Sequence, residues 1–361
     1  MNMQIKCLTV LGALAAGTSL ALAADVTLKI GDPAPKLQTG KWIQGEPVKG
    51  FQKDKAYIVE FWATWCAPCR QSIPHLNETY IKYKDKGLVV IGQDCWERND
   101  ELVAPFVEKM GEKMTYRVAL DDKSVNTNGA MAVNWMRAAG QNGIPSAFIV
   151  DKQGMIAWIG HPMAMKESVL DQVLAGTYDV HKAAVQYEKE KADEAKTQSA
   201  WMNVNRAMQE KDWDTAMTKL DDFAKMIPED QRENLDSVRF NILLGKEDYP
   251  AAYALASKIS DAHKDDAMRQ NKLAWQILTD KNIKQRDLAL AEKIAVRAND
   301  AAKGKDANII DTLARARFMQ GKKDEAIALQ EKAINMAEDD QQKANLQKSL
   351  DEYKNGELTS K

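Results

Sequence analysis

The stretch Glu60-Phe61-Trp62-Ala63-Thr64-Trp65-Cys66-Ala67-Pro68-Cys69 decides how this chain is read. Its first residues complete Ala56–Trp62, a compact apolar run of strand length. Its last residues open Ala67–Lys86, where apolar residues recur with helical period. Two cysteines with two residues between them therefore stand where a buried strand passes into a helix N-terminus. Unpaired backbone N–H groups and the positive helix end favour thiolate over thiol at the first cysteine. Cys66 is read as the exposed nucleophile, and Cys69, one turn deeper, as the thiol that resolves a mixed disulfide. Pro68 stiffens the first turn, where its missing N–H is harmless.

Further strand-like runs follow at Leu88–Gln93, Ser146–Asp151 and Met155–Gly160, with helix-period stretches between them such as Glu101–Met110. Strands alternating with helices indicate an α/β domain. Ala130–Gly143 reads as a helix ended by Gly140 that leads into Ile144-Pro145. Eight of the ten prolines precede residue 165, and beyond about Met165 the pattern is helix after helix. The expected organisation is a leader over 1–24, an α/β domain over 25–177, a charged helical linker over 178–197 and a helical domain over 198–361.

The Trp-Cys-x-Pro-Cys motif behind a buried strand resembles the thioredoxin family, specifically its exported TlpA/ResA branch. Gly143-Ile144-Pro145 followed by Ser146–Asp151 and Gly154 is the second mark, and the resemblance spans about Val26–Gly176. It implies a thioredoxin-like fold, a mixed central sheet flanked by helices, and a thiol–disulfide oxidoreductase. It also implies a cis-proline at Pro145 beside the active cysteine, with Ile144 offering backbone to an extended substrate. Trp65 and Pro68 would line the same groove, while Trp62 packs in the core. Glu60 departs from many exported relatives, standing where thioredoxins carry a buried Asp. Buried there, its carboxyl would have a raised pKa and accept the proton of Cys69. The alternative is a strand carboxylate paired with a nearby Lys. Ala67-Pro68 lacks the His of strongly oxidising relatives, so the resemblance suggests a reductant of protein disulfides. In an oxidising compartment that implies a membrane electron donor of the DsbD/CcdA type.

The helical half carries a repeat. Ala216, Ala252, Ala291 and Ala326 are spaced 36, 39 and 35 residues, close to the roughly 34-residue helix–turn–helix period. Ala216/Phe223, Ala291/Ala298 and Ala326/Ala333 are each seven apart, Gly321 marks a turn, and Pro228 and Trp275 match a closing Pro and an opening Trp. The region Gln198–Lys348 resembles degenerate tetratricopeptide repeats, which implies a docking surface for an unidentified protein. An irregular helical bundle is the other reading.

At the front, Lys6, an apolar core over Leu8–Leu22 and Ala21-Leu22-Ala23 form a secretory leader with cleavage expected near Ala23. This points to the periplasm or cell exterior, and Cys7 leaves with the leader. Lys+Arg 50 against Asp+Glu 52 gives a net charge of −2, so composition offers no case for nucleic acid. Hydrophobic residues at 45% against 28% charged suit packed domains. His75, His161, His181 and His263 are scattered, and no second close ligand pair accompanies Cys66 and Cys69. No Gly-rich phosphate loop or hydrolase triad order is present, so neither metal nor cofactor is expected beyond the cysteine pair. Cys95 reads as a semi-buried unpaired thiol at the sheet edge, with a regulatory disulfide as the alternative. Peroxide reduction is disfavoured because Trp65, not Thr, neighbours the nucleophile. A protein-binding scaffold or redox sensor, in which the α/β half does not turn over, remains the competing function.

Overall fold

The computed structural model describes residues 26–358. The leader and its cleavage site lie outside the described residues, as does Cys7. The chain divides into two compact units between Lys191 and Ala192.

The first unit is a six-stranded sheet in the order β1-β4-β3-β2-β5-β6. The strands are β1 (Thr39–Gln44), β2 (Ala56–Trp62), β3 (Leu88–Asp94), β4 (Arg117–Asp121), β5 (Ser146–Val150) and β6 (Ile156–Gly160). Strand β2 runs parallel to β3 and antiparallel to β5, and β1 and β6 close the two edges antiparallel. This is the mixed thioredoxin-like sheet. The periodicity missed β1 and β4. The residues of β1 are partly exposed or exposed, so apolar alternation is weak there, and its pairing with β4 is irregular.

Side chains alternate across β2, as a pleated strand requires. Ala56, Ile58 and Trp62 face one core layer, built with α1 (Ala67–Tyr83), α2 (Val103–Met110) and α3 (Glu167–Ala175). Tyr57, Val59 and Phe61 face the other layer, with Met131, Trp135 and Met136. Glu60 has the parity of Ile58 and Trp62, so it is delivered beneath α1. Its neighbours in register are Gly92 on β3 and Ala147 on β5, both small enough to leave room for a carboxyl.

The helix expected over 130–143 is a π-helix, Ala132–Arg137. Its start is fixed by Asp121, whose carboxylate accepts N–H bonds from Met131 and Ala132, both at 2.8 Å. A Cβ at Gly129 (φ +88°) would sit 2.2 Å from that carboxylate, so only glycine fits. Cys95 was expected semi-buried at the sheet edge. It is fully buried at the end of β3, an interior strand paired on both sides. From Val180 onward the segment 178–197 belongs to α4 (Val180–Gln209), which carries the chain across the division. Its leading turns are not a free linker, because Val180, Ala183, Ala184 and Tyr187 pack on the second core layer.

The second unit is helical. Helices α5 (Trp213–Met226), α7 (Tyr249–Ala262), α9 (Leu288–Ala301) and α11 (Lys323–Asn335) alternate with α6 (Asp236–Gly245), α8 (Ala267–Thr279), α10 (Ala307–Met319) and α12 (Asp340–Asn355). Asp212, Asp248 and Asp287 cap α5, α7 and α9 by accepting an N–H from the third helical residue, which satisfies an otherwise orphaned donor. The spaced alanines Ala216, Ala252, Ala291 and Ala326 each lie fully buried in the first turns of these four helices. Trp275 does not open a helix; it sits late in α8 with the Arg315 guanidinium over its ring.

Candidate active site

Cys66 is the N-cap residue of α1, with extended backbone (φ −79°, ψ 101°), and its Sγ accepts the Cys69 N–H at 3.1 Å. The two cysteines are joined as a disulfide. The tight loop before the helix is closed by the Cys66 N–H on the Ala63 carbonyl. The sequence reading expected Cys66 to be exposed. In this oxidised state it is only 3 % exposed, because its sulfur is engaged by Cys69 and faced by the Ile144 carbonyl oxygen at 3.7 Å. Trp65, Ala67 and Pro68 around it are exposed, Trp65 to 45 %. Trp62 is fully buried.

The Ile144–Pro145 peptide is cis. The loop that carries it leaves the Asp121-pinned π-helix and is tied by Ser146 Oγ donating to the Gly143 carbonyl at 2.9 Å. Ser146 then pairs with Phe61 across β5 and β2. Sequence-distant Cys66 and Ile144 are thereby brought face to face.

Glu60 is fully buried. Tyr116 donates its hydroxyl to Oε2 at 3.0 Å, and Ser72 donates to Oε1 at 3.3 Å. The Ser72 hydroxyl also lies 3.1 Å from the Cys69 carbonyl, linking the carboxyl to the Cys69 main chain. Burial raises the Glu60 pKa from 4.5 to about 7, against the lowering effect of the two hydroxyls. Among the described residues no Lys pairs with it; its partners are the Tyr116 and Ser72 hydroxyls and not the lysine of the ion-pair alternative.

A second device went unread in the sequence. The buried Glu97 carboxylate accepts the Thr64 N–H at 2.8 Å and the Arg98 N–H at 3.0 Å. Trp96 takes the left-handed conformation (φ +56°), uncommon for a bulky residue, and its carbonyl accepts the Trp65 indole N–H at 3.1 Å. The Arg98 guanidinium lies 5.8 Å from the Trp65 ring centre. Residues 96–98, just past β3, thus brace the residues that precede Cys66. Nothing local marks them, because the contacts to Thr64 and Trp65 cross from one strand end to another. Ser72 and Tyr116 were missed for the same reason, although Ser72 lies one helical turn beyond Cys69. Cys95 is a free thiol whose pKa burial pushes well above the ordinary value. Among the described residues no group of three or more His, Cys, Asp or Glu could hold a metal ion.

A cysteine pair at a helix N-terminus on a thioredoxin-like sheet, facing a cis-proline, defines a thiol–disulfide oxidoreductase. Comparison with known proteins agrees. The Redoxin family matches residues 29–174. Thiol-disulfide oxidoreductase ResA of Bacillus thuringiensis (strain Al Hakam) is 32% identical over 133 residues, which cover 36% of this chain and 68% of that protein. Protein FixW of Rhizobium leguminosarum is 28% identical over 158 residues, covering 42% of this chain and 69% of that protein. A thiol-disulfide isomerase structure from Corynebacterium glutamicum is 20% identical, covers 41% of this chain and 96% of its own, and superposes with a TM-score of 0.34. The chain belongs to the TlpA/ResA-type thioredoxin-like family. The Redoxin match ends at residue 174, before the helix-rich region.

Proposed function

We propose that this protein reduces disulfides of exported proteins through Cys66 and Cys69. The Cys66 thiolate attacks a substrate disulfide, one substrate thiolate leaves, and a mixed disulfide forms against Ile144–Pro145, with Trp65 and Pro68 lining the groove. Glu60 takes the proton of the Cys69 thiol. The Cys69 thiolate then attacks Cys66 Sγ, the second substrate thiolate leaves, and the Cys66–Cys69 disulfide remains. Two electrons pass from the protein dithiol to the substrate. The observation that carries this reading is the Cys66–Cys69 disulfide facing the Ile144 carbonyl, with the buried Glu60 carboxyl tied to Cys69 through Ser72.

Export from a leader cleaved near Ala23, a membrane dithiol donor of the DsbD/CcdA type, and docking of a protein partner by tetratricopeptide-like repeats complete the proposal. What supports the last is the recurrence of buried alanines early in alternate helices, since small residues at such offsets let helix pairs stack closely.

Insulin reduction in the presence of dithiothreitol tests the chemistry. Wild-type protein accelerates it and Cys66→Ser abolishes the acceleration. Cys69→Ser instead accumulates mixed disulfides with its substrates. A Cys66→Ser variant as active as wild type would leave only a binding role.

A further inference from the structure

Beside the dithiol lies a groove of about 350 Å³ lined by Arg70, Phe106, Lys109, Met110 and Lys113. Its near wall belongs to the site itself. Arg70 follows Cys69 directly, its N–H bonds to the Cys66 carbonyl, and its guanidinium reaches the Thr64 carbonyl at 3.4 Å. Its floor is half-buried Phe106 and Met110, and the Phe106 ring lies 5.2 Å from that of buried Trp62. Phe106, Lys109 and Met110 fall on one face of α2 by their three- and four-residue spacing. Glu108 lies about 200° around the helix from Phe106.

The charges on this face are unbalanced. Arg70, Lys109 and Lys113 are exposed, and so is Arg98, which covers Trp65. Among the described residues no side-chain nitrogen of these four lies within 4.0 Å of a carboxylate oxygen, those of Glu108 and Glu112 included. Lys29, Lys82 and Lys123 are paired in the same unit, while exposed lysines such as Lys53, Lys55 and Lys86 are not, so what sets this face apart is three cations gathered around one apolar floor. A chain of net charge −2 thus keeps unpaired cations around an apolar floor next to its reactive sulfurs.

We infer that this groove selects the substrate: it seats a segment of the disulfide-bearing protein in which acidic side chains flank an apolar one. The carboxylates complement Arg70, Lys109 and Lys113, and the apolar side chain covers Phe106 and Met110. This inference rests on the oxidoreductase reading above. It also runs against what the thiolate alone would prefer, because a bare thiolate repels an acidic peptide.

The test uses the reduced full-length protein and three peptides of one length sharing the same intramolecular cystine, flanked by Asp/Glu, Ser or Lys. The rate of peptide reduction is followed at several salt concentrations. At low salt the acidic peptide reacts about tenfold faster than the serine peptide, the lower end of what electrostatic steering supplies. The ratio falls toward one as salt shortens the screening length to about 3 Å at 1 M. A Leu beside the acidic run raises the rate over Gly there, and Met110→Ser removes that gain. The double variant Lys109→Glu/Lys113→Glu brings the acidic-to-serine ratio below one, whereas Lys86→Glu, on an exposed residue past the end of α1, leaves it above one. Reading a ratio within each variant keeps a general loss of activity from imitating the effect. A wild-type ratio at or below one overturns the inference, as does a ratio untouched by the double charge reversal. Binding of Lys109 and Lys113 to phosphatidylglycerol vesicles, with no peptide preference, assigns the groove to a membrane surface and likewise overturns it. Failure of the wild type to reduce even the serine peptide is a different result, and it removes the oxidoreductase reading itself.

Discussion

Glu60 is the residue at which burial and chemistry meet. Its folded pKa, about 7, lies above its ordinary 4.5, so between those values the folded protein holds a proton that the unfolded chain has lost. The Glu60 share of stability therefore declines as pH rises from about 4.5 to about 7 and is level above that, a loss of about 3 kcal/mol; buried Asp94 and Asp121, raised to about 8 and about 6, add declines of the same sign. Glu60→Gln removes the Glu60 share alone, so the difference between wild type and variant in urea unfolding of the oxidised protein at pH 4.5 and pH 7.5 measures it. The same substitution slows resolution of a Cys66 mixed disulfide by about 10²-fold at pH 7.5, while alkylation of reduced Cys66 proceeds at its wild-type rate. Equal resolution rates in the two proteins would remove Glu60 from the mechanism. Tyr116→Phe works in the opposite sense to a simple loss. Its hydroxyl lowers the Glu60 pKa, so deleting it shifts the midpoint of the resolution-rate profile above pH 7.

At the scale of elements, the site is assembled where three strand ends meet. Strand β2 supplies Glu60 and leads to the cysteines, β5 is entered through Pro145, and the turn after β3 supplies the Glu97 brace. Glu97→Ala leaves the Thr64 and Arg98 N–H groups without their acceptor. A cost of about 1–3 kcal/mol is expected, read as a lower urea midpoint. The Trp65 indole, losing its fixed neighbour loop, becomes more accessible to acrylamide quenching. Retained stability and unchanged quenching would reduce Glu97 to a bystander. The sequence exposed β2, β3 and β5, because these interior strands are written as continuous apolar runs, and the edge strand β6, because its residues are mostly buried and apolar. It concealed β1, whose residues are only partly buried, the short interior strand β4, whose apolar run is cut to three residues by Arg117 and Asp121, and the π-helix, whose register is set by Asp121 from another element.

At the scale of the whole molecule, the two units have cores of different grain. The first relies on aromatic clusters such as Phe61, Trp135 and Phe148, whose rings meet edge to face or tilted. The second relies on alanines at helix crossings, with Ala291, Ala295 and Ala298 fully buried along α9. Ala291→Leu forces extra volume into a helix crossing and costs about 1–3 kcal/mol. The expected result is an earlier loss of helical circular dichroism on heating, with insulin reduction at 25 °C retained. Loss of both together would show that the units do not unfold separately.

The sequence by itself determined the cysteine pair, its place at a strand-to-helix junction and the change from an α/β half to a helical half. Those features are local, and local spacing and composition encode them. Only the tertiary structure decided that Glu60 meets Ser72 and Tyr116, that residues 96–98 hold Trp65, and that Cys66 is nearly closed off when oxidised. Each of these depends on side chains from separate strands and helices arriving at one point. Strand order and register, not spacing along the chain, bring them there.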